Sequence, residues 1–151
     1  MSTRRTTKLR ITEDFAAPPE EVFSLCVSRA GFENAMPPGV RVLAWPEHFV
    51  DGAVLDFRWA VAGLELVRWT AVVEDFDDGR AFTDHQVQGP FRFWRHTHVC
   101  EPHGDGTRYT DLVEFSTGYG PPGDLVVATM IRLAFGPRLR RMRADLATEH
   151  P

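Results

Sequence analysis

The chain is poor in the features that mark several large protein classes. It has two cysteines, Cys26 and Cys100, and no CxxC pair. That argues against a disulfide scaffold or a zinc ribbon and predicts two reduced, buried thiols. Lys8 is the one lysine among seventeen basic residues, which reads as the mark of a GC-rich bacterial genome. Positive charge is not in excess: the net charge is −4, against a general nucleic-acid binder. The start, "MSTRRTTKLR", is polar and basic with no apolar run behind it, so no secretory leader is expected and a cytoplasmic location is. The longest apolar run, "LVVATMIRLAF", is too short and interrupted to insert in a membrane. No P-loop, dinucleotide fingerprint or nucleophile elbow is present.

What is there is a chain of 151 residues, 43% hydrophobic and 25% charged, suited to one domain over 1–151 with its core at about 8–147. "KLRITEDF" alternates as a first strand with Leu9, Ile11 and Phe15 inward. "APPEEVFSLCV" starts a helix, with Pro19 in its first turn and Glu20 and Glu21 at its positive end. "AGFENAMPPG" is a second short helix stopped by Pro37 and Pro38. A run of alternating segments follows, separated by Ala62-Gly63, Asp77-Asp78-Gly79, Gly89-Pro90 and Gly104-Asp105. The chain ends in a long helix from "GPPGD" onward, with a kink expected at Gly136-Pro137. Strands this long curl. The pattern predicts an α+β fold, a curved antiparallel sheet packed on a long C-terminal helix, with a pocket between them.

The segment "QVQGPFRFWRHTHVC" carries the chemistry. Trp94, His96, His98 and Cys100 share one strand face; Arg95, Thr97 and Glu101 share the other. A two-residue turn at Gly104-Asp105 sets Cys100 opposite Tyr109, His98 opposite Asp111, His96 opposite Val113 and Trp94 opposite Phe115. The other face then carries an Arg95–Glu114 pair suited to water. On the opposite side, a loop at Gly89-Pro90-Phe91 sets Asp84 opposite His96 and Gln86 opposite Trp94. The expectation is an inward row, Asp84 with His96 and His98 with Asp111, with Gln86 and Tyr109 nearby. Such pairs satisfy buried polar groups and fix register, and a carboxylate-oriented imidazole is also a common general base. His-x-His plus Asp111 has the ligand types of a two-histidine, one-carboxylate metal face. Because each histidine already has a carboxylate neighbour, no metal is expected.

Trp59, Trp69, Trp94, Cys100 and Phe115 face inward with this row, and Met130 of the long helix is expected to form a plastic pocket wall. Arg138, Arg140, Arg141 and Arg143 read as a solvated helix end, with attraction of an anionic ligand, carrier protein or membrane surface as the weaker alternative in an acidic chain. The helix segment from Leu125 to Phe135 is apolar on more than one face, so it is either deep in the grip of the sheet or meets a partner such as a second copy. The proline-rich stretch 36–52 is a candidate gate.

The series "GAVLDF", "RW", "FTDHQVQGPF", "WRHTH" and "TRYTDLVEF" resembles the SRPBCC superfamily, the helix-grip fold of START lipid-transfer domains and polyketide cyclases. Cys100 and Tyr109 depart from the resembled pattern, which favours a bulky apolar residue and a methionine there. The resemblance implies binding of a small apolar, aromatic or polyketide-like molecule between sheet and helix. Its alternative is a cofactor-free cyclase, aromatase or dehydratase of secondary metabolism. There His96 or His98 would move a proton, Asp84 and Asp111 would orient the imidazoles, and Tyr109 or Gln86 would hold a carbonyl. The resemblance implies no metal and no cofactor.

Overall fold

The computed structural model describes residues 4–148. Strand β1 (Thr7–Phe15) leads into two short helices, α1 (Pro19–Val27) and α2 (Arg29–Ala35). Six strands follow: β2 (Val40–Ala44), β3 (Val54–Val61), β4 (Leu64–Asp77), β5 (Ala81–Gln88), β6 (Phe93–His103) and β7 (Gly106–Ser116). Helix α3 (Gly120–Thr148) closes the fold. The seven strands form one antiparallel sheet in the order β1-β7-β6-β5-β4-β3-β2. This is the expected α+β helix-grip architecture.

Local chemistry explains the joints. Pro19 opens α1, and Glu20 and Glu21 sit at its positive end. Ser28 separates the two helices: its Oγ accepts from the Gly31 amide at 2.9 Å. A Cβ on Gly31 would lie 2.3 Å from the Leu25 carbonyl oxygen, so only glycine lets α2 start that close to α1. Ala62 (φ 51°) and Gly63 (φ 78°) turn β3 into β4, the left-handed pair that a tight hairpin needs. The β6–β7 hairpin has the anticipated register, from His103 opposite Gly106 to Trp94 opposite Phe115.

Strand β4 is fourteen residues long, with register shifts after Thr70 and after Glu74. Bulges add local twist, so the sheet curls here. The second shift also redirects a surface pair. Arg95 faces Glu114 in register, but its guanidinium turns to Asp75, 2.6 Å away on the bulge.

Helix α3 runs unbroken through Pro137. It buries Asp124, Ala128, Ile131, Arg138, Leu139, Met142 and Leu146, a stripe at helical spacing. Two apolar clusters lie beneath it. Leu9, Trp94, Val113 and Phe115 pack against Ala128 and Ile131. Phe15, Val22, Phe23, Phe82 and Val73 cluster with Leu139, Met142 and Leu146. Phe135 and Arg138 lie between these anchor points. Leu125, Val126, Met130 and Leu133 point outward, so the N-terminal half of α3 lies on the sheet with its far side exposed. Among the described residues, no helix is long and apolar enough to cross a membrane.

Candidate functional site

A cavity of about 220 Å³ lies between the sheet and the helices. Its walls are apolar: Leu25 of α1, Phe32 and Ala35 of α2, Trp45 and Phe49 of the following loop, Leu55 and Phe57 of β3, Trp69 and Ala71 of β4, and Phe135 and Met142 of α3. Trp69 stacks on Phe57 at 5.7 Å and meets Trp94 edge-on at 5.1 Å. The polar side chains on this wall are Asp84, His96, His98 and Arg138.

The proline-rich stretch supplies part of the cavity wall through Met36, Trp45 and Phe49. Trp45 Nε1 donates to the Val27 carbonyl at 3.0 Å, Phe49 is buried against Phe82, and the Gly52 amide donates to the Val73 carbonyl.

Strand alternation brings Asp84, His96, His98 and Asp111 together as expected, but with the partners exchanged. His96 Nε2 donates to Asp111 Oδ1 at 2.7 Å, and His98 Nε2 lies 2.9 Å from Asp84 Oδ2. The directly opposed pairs are longer, 3.7 Å for His96–Asp84 and 3.6 Å for His98–Asp111. An imidazole reaches along the strand as well as across it, so each finds the carboxylate one diagonal step away.

Tyr109 joins from behind. Its Oη donates to Asp111 Oδ1 at 2.7 Å and lies 2.8 Å from His98 Nδ1. Arg138 also belongs to this row. By its sequence context it reads as part of a solvated helix end, yet it is buried and donates from Nη1 to Asp111 Oδ2 at 2.7 Å and from Nη2 to Tyr109 Oη at 3.1 Å. The signal was present: Val127, Ile131 and Ala134 form a stripe whose next member is Arg138.

The charges follow from this packing. Burial pushes the Asp111 carboxyl up, but Arg138 and the histidines outweigh it and hold it well below the usual range. Burial likewise opposes charge on Asp84, and its contacts with His98, His96 and Arg138 bring it down on balance. Burial, reinforced by neighbouring His96, drops His98 to about 4, so His98 is neutral near pH 7. Arg138 is held in its charged form by Asp111 despite burial. Burial pushes the Tyr109 hydroxyl up, so it stays a donor.

The remaining expected site residues fall in different places. Trp69 and Trp94 line the cavity. Cys100, Tyr109 and Phe115 are buried behind its wall. Trp59 sits where β3 slips register and points to the surface, its indole donating to the Pro38 carbonyl. Gln86 folds over its own loop, donating to the Phe91 carbonyl at 2.7 Å and accepting from the Phe91 amide. Met130 is 62% exposed on the outer side of α3 and forms no part of the wall. Cys26 and Cys100 are both free. The fold brings them into side-chain contact, and that contact together with burial keeps the Cys100 thiol protonated. Cys26 is half-buried and lines the cavity.

Residues 6–150 match the family described as polyketide cyclase / dehydrase and lipid transport, and the chain belongs to that family. Solved structures with the same fold include TTHA0849 from Thermus thermophilus, at 22% identity and TM-score 0.73, covering 96% of this chain and all of that one. The Zhui aromatase/cyclase from Streptomyces sp. R1128 aligns at 16% identity and TM-score 0.73, covering 95% and 94%. A START superfamily protein from Mycobacterium smegmatis aligns at 16% identity and TM-score 0.73, covering 93% and 97%. No curated protein matches the chain in sequence.

Proposed function

We propose that the protein binds one small, mostly apolar or aromatic molecule in the cavity under α3, with a polar group of that molecule against Asp84, His96, His98 and Arg138. The observation that carries this reading is the cavity itself: about 220 Å³, walled by aromatic and aliphatic side chains, with polar groups on one side. An engineered apolar cavity of about 150 Å³ holds benzene, so this one suits a somewhat larger ring. Arg138 Nε is buried and, among the described residues, has no hydrogen-bond partner, so one donor beside the cavity is left unmet by the protein. The family, which includes both lipid carriers and cyclases by its description, supports a cavity ligand of this kind.

The test is native mass spectrometry of the protein purified from its own host, followed by denaturation and identification of what is released. One retained aromatic or apolar compound per chain supports the reading. If nothing is retained, and no apolar fluorescent probe is taken up with one-to-one stoichiometry, the reading fails.

A second reading is turnover without a bound organic cofactor, as a cyclase, aromatase or dehydratase. It is favoured by the two imidazoles on the cavity wall, each with a carboxylate oxygen close by, at 2.7 Å for His96 and 2.9 Å for His98. An apolar cavity would also fix one conformation of a reactive chain and limit its contact with water. In that reading His96→Gln and His98→Gln lose turnover of an identified substrate while keeping the fold. Activity that merely tracks their stability would leave the row a structural one.

A further inference from the structure

The proton inventory of the buried row leaves a gap at the cavity wall. Asp111 is an ion paired with Arg138, so its oxygens only accept. Its Oδ1 receives two contacts, from His96 Nε2 and from Tyr109 Oη, each at 2.7 Å. Both partners must donate. Tyr109 has one proton and gives it to Asp111, so its oxygen must accept from His98 Nδ1 at 2.8 Å. His98 therefore carries its proton on Nδ1, and His96 carries its own on Nε2. In neutral imidazoles the other nitrogens, His98 Nε2 and His96 Nδ1, are lone pairs. Both lie near Asp84 Oδ2, at 2.9 and 3.7 Å, and that oxygen is also an acceptor. With one proton on each imidazole, three acceptors converge with no donor among them.

We propose that Asp84, His96 and His98 bind a divalent transition-metal ion of the zinc class in the cavity wall. Two imidazole nitrogens and a carboxylate oxygen are the ligand types zinc takes when a further position stays open. The three ligand atoms lie within 4.8 Å of one another. Donors around one tetrahedral zinc, at roughly 2.0–2.2 Å from it, sit about 3.3 Å apart; Asp84 Oδ2 lies 2.9 Å from His98 Nε2 and 3.7 Å from His96 Nδ1, either side of that spacing. The groups behind it match what metal-bound histidines have: His96 donates its far N–H to a carboxylate and His98 donates its own to a tyrosine oxygen. Asp111, which the sequence reading counted among the ligand types, is behind the histidines and paired with Arg138, while Asp84 is in front. The two carboxylates and Arg138 sum to one negative charge, which a cation offsets. The open position faces the cavity, which selects a ligand with a carboxylate, enolate or carbonyl oxygen. That last step rests on the ligand-binding reading and fails separately from it, because metal uptake is measured with no organic compound present.

The experiment is calorimetric titration of the full chain, stripped with chelator and dialysed metal-free, with zinc chloride alone. One zinc per chain is expected. Asp84→Asn and His98→Gln should each weaken it a hundredfold or more, and Tyr109→Phe, which removes the hydroxyl shared by His98, Asp111 and Arg138, about ten- to hundredfold. His48→Gln and His103→Gln, at exposed histidines, should leave it unchanged. No uptake by the stripped wild type overturns the proposal, as does uptake that survives Asp84→Asn and His98→Gln or disappears with the exposed histidines. Should the site variants fail to fold, zinc-edge absorption spectroscopy of the loaded wild type decides. Two imidazoles and one carboxylate are expected, and any other donor set counts against the site. A proton alone filling the gap would appear in nitrogen-15 spectra as a doubly protonated His98 at neutral pH, with zinc refused.

Discussion

At the scale of single residues, the informative pair is Arg138 and Asp111. Alternation along β6 and the turn at Gly104-Asp105 made the facing of His96, His98, Tyr109 and Asp111 readable from the sequence, because a hairpin register leaves no freedom once its turn is placed. Which imidazole reaches which carboxylate was not readable. That choice depends on side-chain direction over a distance shorter than one strand spacing. Arg138 was missed because it stands among arginines that do meet solvent, such as the exposed Arg140 and Arg143. The energetics follow from burial. Arg138→Met leaves Asp111 charged, fully buried and without its counterion, and should cost about 3–5 kcal/mol in urea denaturation. The double variant Arg138→Met with Asp111→Asn removes both charges and should recover most of that loss. If the double variant is as unstable as the single, the pair is not what holds this layer together.

At the scale of elements, the strands were legible and the helix only partly so. Period-two alternation and glycine-containing turns located β3 to β7 because each strand buries one face. The bulge at Thr70 left no mark, since threonine is ordinary on a strand surface, whereas Asp75, at φ 50°, is a residue type that tolerates the left-handed region of a bulge. In α3 the long apolar stretch obscured the buried stripe: Leu125, Met130 and Leu133 are as hydrophobic as the residues that pack, yet they face out. The polar residue that registers the helix is Asp124. Its Oδ1 accepts from the Thr117 amide at 2.8 Å and from the Thr117 hydroxyl at 2.7 Å, tying the end of β7 to the start of α3. These bonds hold its carboxyl below the ordinary value. A carboxyl depressed in the folded state contributes stability above its unfolded pKa of about 3.9, and that contribution disappears as pH falls through the folded value. Asp124→Asn should therefore be less stable than wild type at neutral pH, by about 1–2 kcal/mol for a charged hydrogen bond replaced by a neutral one. The two unfolding curves should converge as pH drops below about 4. A gap that stays constant down to pH 2 would mean that the charge on Asp124 does nothing.

At the scale of the whole molecule, the cavity belongs to no one element. Its walls come from α1, α2, the loop carrying Trp45 and Phe49, four strands and α3. The sequence reading placed a pocket between sheet and long helix, and of the expected ligand-contacting residues only Trp69 and Trp94 face the empty space. Facing inward and facing a cavity differ by one layer of packing, and periodicity carries no information about that layer. Phe115 and Ala71 illustrate the distinction. Both are buried on the concave face, but Phe115 fills the core under Ala128 and Ile131 while Ala71 borders open volume. Ala71→Leu places three more carbons into that volume, where they meet apolar walls and remove part of a void. Stability should hold or rise, since an internal cavity costs contacts that its lining would otherwise make. Affinity for an apolar fluorescent probe should fall tenfold or more, about 1.4 kcal/mol. Phe115→Leu should do the opposite, with lower stability from the gap it leaves, about 1–3 kcal/mol, and probe affinity nearly unchanged. Equilibrium denaturation and probe titration on the same two variants separate the outcomes. If Ala71→Leu unfolds the protein, the volume beside Ala71 cannot accept added atoms. If it binds the probe as wild type does, the ligand sits elsewhere than under α3.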